Sequence, residues 1–237
     1  MSGRKVVMEL RNAGVAYSRP RSWFRQSEYW ALKDVSLTLY EGETLGVVGR
    51  NGTGKTTLLQ LMSGIIAPDK GQWISGGARA SLLSLQVGFF PHLSGRENIY
   101  LSGMLQGMTR PRIEECLPDI IAFAELGDWI DEPIRTYSTG MRARLGFAVS
   151  FQADPAILAI DEVLGVGDEE FKRKSTQAMK DRVRSDRTVV LVSHSLPTIR
   201  DLCDRLVWID AGETRAEGSV EDVLQQYQAS MKAPKPT

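Results

Sequence analysis

Short apolar runs alternate with segments of helical spacing along the chain, which is the pattern of an α/β fold. Apolar residues at helical spacing predict helices that begin near residues 57, 142 and 220. We therefore expect one α/β domain over residues 1–237. Short alternating or apolar runs predict strands at 6–12, 31–39, 44–48, 80–85, 156–160, 188–192 and 205–210, the last one entering a hairpin.

Between residues 94 and 150 the pattern is helical throughout, whereas both flanks alternate between strand and helix. Ser94 and Glu97 have the spacing of a capping box and mark the start of the first helix. The helical pattern continues past a turn near Thr109 and a bend at Pro118. These features predict a helical subdomain that is inserted into the α/β core.

Residues 18–30 (SRPRSWFRQSEYW) interrupt the strand pattern near the N-terminus. The segment is rich in arginine and aromatic residues, and we interpret it as an exposed insertion loop or a hairpin tip. Exposed aromatic residues are unusual on a plain surface. The segment is therefore either a partner-contact surface or a place where one or two aromatic side chains cover the edge of the core.

The composition excludes several classes of protein. Basic and acidic residues balance at 29 each, so the sequence has no broad positive footprint for nucleic acid. No apolar run approaches the ~20 residues that a membrane-spanning helix requires, and the first residues lack the apolar segment of a signal peptide. Cys116 and Cys203 are far apart and lack metal-ligand spacing, which favours a reducing, cytosolic setting.

A glycine-rich segment joins the predicted strand at 44–48 to the first predicted helix. Residues 49–56 (GRNGTGKT) match the phosphate-loop pattern G-x-x-x-x-G-K-[ST] at each fixed position, and the flanking elements argue against a chance glycine turn. In such a loop, backbone N–H groups converge on phosphate, the lysine adds positive charge and the threonine hydroxyl can ligate Mg²⁺. The predicted phosphate-binding residues are Gly49, Asn51, Gly52, Gly54, Lys55, Thr56 and Thr57.

Two aromatic residues that precede this loop are candidates to stack on a nucleobase. Such a contact is worth about 1–3 kcal/mol in other base-binding sites. Tyr17 is the first candidate and Trp30 is the second. The alternative for Tyr17 is an ordinary aromatic residue of a strand.

Polar residues stand at the ends of two predicted buried strands. The run at 156–160 leads into Asp161 and Glu162, and the run at 188–192 is followed by Ser193 and His194. In a phosphate-loop protein, Asp161 can hold Mg²⁺ and Glu162 can activate the attacking water, while the alternative is a solvated acidic turn. His194 stands at a strand end, where ligands bind in open α/β sheets.

Ser138 and Gly140 lie in the segment YSTGM, just before a predicted helix. Ser138 is a favourable N-cap residue, and Gly140 permits close backbone approach. The start of this helix therefore suits an anion, although simple capping would explain the same residues.

Taken in order, these motifs resemble those of the ATPase subunits of ATP-binding cassette (ABC) transporters over nearly the whole chain. The resemblance implies a P-loop NTPase (RecA-like) α/β core with an antiparallel β subdomain and an inserted α-helical subdomain. It also implies ATP and Mg²⁺ as cofactors. Ser138 and Gly140 would contact ATP bound to a second copy, in a segment that departs from the commoner LSGGQ. Gln86 would sense Mg²⁺ and the γ-phosphate, Asp168 would lie in the loop that crosses the dimer interface, and His194 would reach the γ-phosphate.

Four segments resemble the subfamily that exports bacterial cell-surface polysaccharides such as O-antigen, capsule or teichoic acid: 29–36, 90–101, 137–149 and 161–168. This resemblance implies an integral membrane permease as partner and a lipid-linked glycan as substrate. ATP hydrolysis would power export from the cytoplasmic face of the bacterial inner membrane, where the chain would be peripheral.

The alternatives are an exporter of another substrate, a non-transport ABC ATPase that acts on nucleic acid or the ribosome, and an unrelated P-loop GTPase. The sequence has one phosphate loop in 237 residues and no long coiled-coil insertion, which argues against the nucleic-acid and ribosome classes. It has no N-K-x-D guanine motif, which argues against a GTPase.

Overall fold

The computed structural model describes residues 4–22, 25–78, 80–82, 88–161, 168–185 and 187–232. The strands are β1 Val6–Ser22, β2 Arg25–Tyr40, β3 Thr44–Val48, β4 Lys70–Ser75, β5 Ala80–Leu82, β6 Ile157–Asp161, β7 Thr188–Val192, β8 Arg205–Asp210 and β9 Glu213–Ser219. The α-helices are α1 Lys55–Met62, α2 Gly95–Leu105, α3 Arg110–Ala124, α4 Thr139–Gln152, α5 Glu169–Val183, α6 Leu196–Leu202 and α7 Val220–Lys232, with short 3₁₀ helices at Gly127–Asp131 and Ile134–Thr136.

The chain divides into two compact units. The sheet unit consists of residues 1–82, 156–162 and 183–237, and the helical unit consists of residues 83–155 and 163–182. No helix among the described residues is both long enough and apolar enough to cross a membrane.

In the described part of the sheet unit, the strands form a single sheet in the order β4-β1-β2-β9-β8-β3-β7-β6-β5. The strands from β8 to β5 pair in parallel, whereas β1 pairs antiparallel with β2 and β4, and β9 pairs antiparallel with β8. All five residues of β3 and of β7 are buried, as expected of parallel strands that are covered on both faces. A parallel core with an antiparallel part is the arrangement that the family resemblance implies.

The segment at 18–30 is strand, not a loop, in its described parts. β1 continues to Ser22 and β2 begins at Arg25, and the two pair antiparallel as far as these residues. The hairpin interpretation is confirmed and the loop interpretation is wrong. The consecutive residues Tyr17 and Ser18 are both exposed, so both faces of the ribbon meet solvent. A strand that is exposed on both faces needs no alternation of apolar and polar residues, so the pattern around these two residues does not predict a strand.

Two helices were not predicted from the sequence, α5 and α6. In α5 the buried positions are Phe171, Ser175, Met179 and Val183, which form a narrow stripe along one face. A serine in that stripe and charged residues at most other positions leave a weak apolar period. α6 spans only Leu196–Leu202, which is too short for a clear period.

In the helical unit, α2, α3 and α4 pack around a buried core of its own. The predicted capping box is present at the start of α2. The Ser94 N–H donates to Glu97 Oε2 at 2.8 Å, and the Glu97 N–H donates to Ser94 Oγ at 3.2 Å. Pro118 lies inside α3, where the sequence predicts a bend.

Tyr137 joins three parts of this core. Its ring is buried, its hydroxyl donates to the Trp129 carbonyl, and a Cβ added to Gly95 would lie 2.2 Å from its Oη. Burial raises the pKa of the Tyr137 phenol to about 12. The hydroxyl is therefore built into the core in its neutral form.

We predict that Tyr137→Phe lowers the free energy of unfolding by about 0.5–1.5 kcal/mol at neutral pH, because the Trp129 carbonyl loses its donor. The phenol contributes fully below its unfolded pKa of about 10. Its contribution is lost as the pH rises through the folded pKa of about 12. The substitution should therefore also flatten the alkaline loss of stability, which urea unfolding over a pH series measures.

Tyr17→Phe is the control, since Tyr17 is 40% exposed. It removes a hydroxyl from an exposed side chain and should keep the parent's free energy of unfolding at neutral pH. A Tyr137→Phe curve that stays parallel to the parent above pH 10 would contradict the role of burial in raising this pKa.

Candidate functional site

The phosphate loop, Asp161 and His194 meet at one edge of the sheet. β7 lies between β3 and β6 and pairs in parallel with both. The phosphate loop follows β3, Asp161 is the last residue of β6, and His194 comes shortly after β7 and is exposed. Because the carboxyl ends of parallel strands lie at the same edge, the structure brings these candidates together where ligands bind in open α/β sheets.

Glycine is required at specific points of the phosphate loop (residues 49–56). Gly52 and Gly54 have φ of 78° and 101°, in the left-handed region. A Cβ on Gly49 would lie 2.2 Å from the Ile209 carbonyl oxygen, and one on Gly54 would lie 2.5 Å from the Ala31 carbonyl oxygen. The loop is thus fitted closely against β8 and β2, and only glycine allows that approach.

Lys55 begins α1 and is only 8% exposed. Its ammonium donates to the carbonyl oxygens of Gly49 at 2.7 Å and Arg50 at 2.9 Å. The first turn of α1 has no acidic side chain, and Gly54 at its N-cap offers no side-chain cap. The N–H groups of this turn and the lysine therefore form a positive site that suits phosphate.

Thr56 and Asp161 are in direct contact beside this loop. The Thr56 hydroxyl donates to Asp161 Oδ2 at 3.0 Å. Mg²⁺ is usually bound by one or two protein oxygens together with phosphate oxygens and water, and a hydroxyl and a carboxylate are donors of the required kind. The described residues contain no group of three or more His, Cys, Asp or Glu placed to hold a metal ion. The Thr56 hydroxyl and the Asp161 carboxylate are two oxygen donors that fit a magnesium ion shared with phosphate oxygens.

Two predicted catalytic residues, Gln86 and Glu162, lie outside the described residues, and their roles stay predictions. Asn51 is exposed and Thr57 is half-buried in the first turn of α1.

The structure favours Tyr17 over Trp30 as the base-stacking candidate. Tyr17 is 40% exposed, on a ribbon whose β2 strand contacts the phosphate loop at Ala31. The Trp30 ring is covered by Lys70, whose ammonium lies 5.4 Å from the ring centre. The stacking role itself stays a prediction.

In the helical unit, Ser138 is the N-cap of α4, as predicted. Its Oγ accepts a hydrogen bond from the Met141 N–H at 3.1 Å. A Cβ added to Gly140 would have Ser138 Oγ as its nearest neighbour, at 3.7 Å, so packing within this unit does not require glycine there. A surface pocket of about 520 Å³ lies here, lined by Glu125, Leu126, Trp129, Ser138, Gly140, Met141, Arg144 and Asp168.

Asp168 lies on the same pocket and caps the start of α5. Its Oδ1 accepts from the Phe171 N–H at 3.0 Å, and its Oδ2 accepts from the Arg144 guanidinium. These two contacts, the backbone N–H first and the guanidinium second, hold the pKa of the Asp168 carboxyl below its usual range. The sequence did not single out Arg144 as a site residue, since only its contact with Asp168 reveals it.

Comparison with known proteins supports this description of the chain. Residues 32–165 match the family model described as ABC transporter. The chain is 48% identical over 201 residues to the O-antigen export system ATP-binding protein RfbB of Myxococcus xanthus. This alignment covers 85% of this chain and 46% of that protein. It is 44% identical over 213 residues to the teichoic acids export ATP-binding protein TagH of Listeria monocytogenes, covering 90% of this chain and 63% of that protein.

A third relative is similar over more of its own length. The O-antigen export system ATP-binding protein RfbB of Klebsiella pneumoniae is 46% identical over 204 residues, covering 86% of this chain and 83% of that protein. The chain thus spans about half to two thirds of the length of the first two relatives.

Two solved structures share the fold. One, described as the ATP binding subunit of an ABC transporter, has a TM-score of 0.73 at 20% identity and covers 94% of this chain and 93% of that chain. The other is a dimeric ATP-binding cassette in a post-hydrolysis state bound to ADP and Pi, with a TM-score of 0.71 at 22% identity over 90% of this chain and 98% of that chain. The predicted P-loop NTPase fold class is confirmed.

We predict that Gly54→Ala destabilises the phosphate loop. The left-handed φ costs about 1–2 kcal/mol for a residue with a Cβ, and contact with the Ala31 carbonyl adds an overpacking cost of about 1–3 kcal/mol. Gly42→Ala is the matched control, because Gly42 also has a positive φ but a Cβ there meets nothing within 4 Å. Urea unfolding of both variants measures the difference, and equal losses would contradict the close fit at Gly54.

Proposed function

The chain belongs to the ATP-binding cassette transporter family, and we propose that it is the ATP-hydrolysing subunit of a transporter that exports a lipid-linked cell-surface polysaccharide. The observation that carries the proposal is the Thr56–Asp161 hydrogen bond of 3.0 Å beside the phosphate loop. It assembles a nucleotide-metal site from distant parts of the chain. The names of the O-antigen and teichoic acid export relatives support the substrate class.

Each part of the site has a chemical task in this proposal. The glycine loop and Lys55 bind the phosphates of ATP, and Thr56 and Asp161 hold Mg²⁺, which when bound neutralises phosphate charge. Glu162 takes the proton of the attacking water. His194 contacts the γ-phosphate from the end of β7.

Four further residues of the chain belong to the proposed site. Gln86 senses Mg²⁺ and the γ-phosphate and couples the site to the membrane partner. Tyr17 stacks on the base. Asn51 and Thr57 contribute to phosphate binding from the loop and from the first turn of α1.

A second copy of the chain completes each site. Ser138 and Gly140 of that copy contact the γ-phosphate through the N-terminus of α4, where Gly140 has room that packing within its own unit does not use. The dimeric form of a solved cassette with the same fold supports this arrangement. ATP binding would close the dimer and hydrolysis would open it.

The membrane partner is a separate integral permease, to which the chain would bind at the cytoplasmic face of the inner membrane. O-antigen is the first candidate substrate, since two of the relatives above are O-antigen export proteins. Teichoic acid is a second candidate of the same chemical class, favoured by the Listeria relative.

Lys55→Met tests phosphate binding. Charge-assisted hydrogen bonds are worth about 1.5–3 kcal/mol each, so Mg-ATP should bind roughly 10- to 150-fold more weakly. Methionine keeps the buried aliphatic stem, so circular dichroism should show an intact fold. Lys172→Met is the matched control, since Lys172 is exposed on α5. Titration calorimetry measures both, and parent-like affinity in Lys55→Met would sink the assignment.

Glu162→Gln tests the dimeric motor. The amide keeps the size of the side chain but cannot accept the proton, and a positioned base contributes about 10²–10⁴-fold to rate. Hydrolysis should nearly stop while binding survives, because Lys55, Thr56 and Asp161 are intact. The retained γ-phosphate should then hold two copies together, which light scattering with and without ATP detects.

Adding Ser138→Arg to this variant should abolish the dimer, because it places bulk and charge at the proposed interface. A Glu162→Gln protein that stays monomeric at saturating ATP would count against the dimeric motor. One that hydrolyses at the parent rate would remove Glu162 from its role as the base.

A further inference from the structure

Arg144 is held from three sides in the second turn of α4. Its guanidinium donates to Asp168 Oδ2 and lies 3.5 Å from Glu125 Oε2 through Nη1. It also lies over the Phe171 ring, 5.1 Å from the ring centre. The side chain is only 18% exposed. These contacts fix one cation between the end of α3, the start of α4 and the start of α5.

The partner carboxylate, Asp168, has two tasks. With Oδ1 it caps α5 through the Phe171 N–H, and with Oδ2 it binds Arg144. The ring of the same Phe171 packs edge-on against Phe123 and Phe147, at 5.7 and 6.0 Å between ring centres. The start of α5 is therefore joined to α4 by an ion pair at the surface and by aromatic packing below it.

Glu125 extends this network. It adopts a left-handed conformation at the end of α3, and its carboxylate also pairs with Lys174 of α5. The ammonium of Lys174 lies 4.6 Å from the centre of the Phe123 ring. Arg144 and Lys174 thus each lie over an aromatic ring, and both pair with the Glu125 carboxylate. These contacts hold the end of α3 against the start of α5.

Arginine suits this position better than any other side chain. Its planar fork can donate to two carboxylates while its face stacks on an aromatic ring, whereas the ammonium of lysine is a single point charge. Arg144, Asp168, Ser138 and Gly140 all line the same pocket. A change in the direction of Arg144 would therefore move Asp168 relative to the start of α4.

We propose that Arg144 is a positioning residue for the composite ATP site. It holds Asp168 at a fixed position beside Ser138 and Gly140, so that the three present one preorganised face to the second copy. This inference rests on the proposed function. In this role Arg144 contacts neither ATP nor the attacking water. It acts through Asp168.

The test uses the full chain with Glu162→Gln, in which ATP-dependent dimerisation is measured by analytical ultracentrifugation. Adding Arg144→Met should raise the dimer dissociation constant by about tenfold or more, as expected for residues in one ion-pair network. Binding of Mg-ATP to the monomer should stay within about twofold of the parent, because the phosphate loop is unchanged. Arg112→Met is the matched control, since Arg112 pairs with the exposed Glu115 of its own helix and does not line the pocket.

A double-mutant cycle separates positioning from general stability. Asp168→Asn keeps an oxygen that can cap α5 but weakens the pairing with Arg144. If Arg144 acts through Asp168, the double variant should be no worse than Arg144→Met alone. Additive effects of the two substitutions would overturn the proposal, because they would show that Arg144 acts independently.

Arg144→Lys carries the test if the methionine variant does not fold, because lysine keeps the charge and the aliphatic stem. It should also weaken the dimer, and a dissociation constant within about twofold of the parent would overturn the proposal. A Glu162→Gln parent that is itself monomeric at saturating ATP would remove the proposed function and this inference together. A dimeric parent with unaffected Arg144 variants would remove only the inference.

Discussion

The site at the sheet edge depends on the parallel pairing of β7 with its two neighbours. Val192 of β7 is paired with Val47 of β3 on one side and with Asp161 of β6 on the other. The end of β3 and the carboxylate are therefore at the same level, and Thr56 can reach Asp161. A slip of one residue in either pairing would turn Asp161 to the opposite face of the sheet and separate the pair.

The sequence assigned Thr56 and Asp161 to one Mg²⁺ ion, but no local pattern predicts the hydrogen bond between them, for a physical reason. The bounds of β3 and β7 follow from continuous apolar runs, and the phosphate loop is a local motif. The Thr56–Asp161 bond joins residues 105 positions apart. Such a contact depends on strand order, which no local pattern in the chain specifies. The same holds for Arg144, whose importance appears only with Asp168 beside it.

The failure to predict α5 has a related cause. This helix attaches to the helical unit through cations as well as through its narrow apolar stripe. Lys174 lies 4.6 Å from the Phe123 ring centre, and Arg182 lies 4.3 Å from that of Phe151. Long basic side chains cover aromatic surface with their stems and contribute about 0.5–2 kcal/mol each through cation–π contact. A charge-rich sequence can therefore pack well while it lacks the apolar period of a surface helix.

The phosphate loop shows how nucleotide binding can be favourable even though Lys55 already has partners. Its ammonium donates to the carbonyls of Gly49 and Arg50, which are neutral acceptors. Each of these bonds already involves one charged group, whereas a bond from the ammonium to phosphate joins two opposite charges and is the stronger of the two. A phosphate carries negative charge, so transfer of Lys55 from a loop carbonyl to a phosphate oxygen gains energy. The loop carbonyls thus keep the buried ammonium satisfied before the nucleotide arrives, without competing successfully against it.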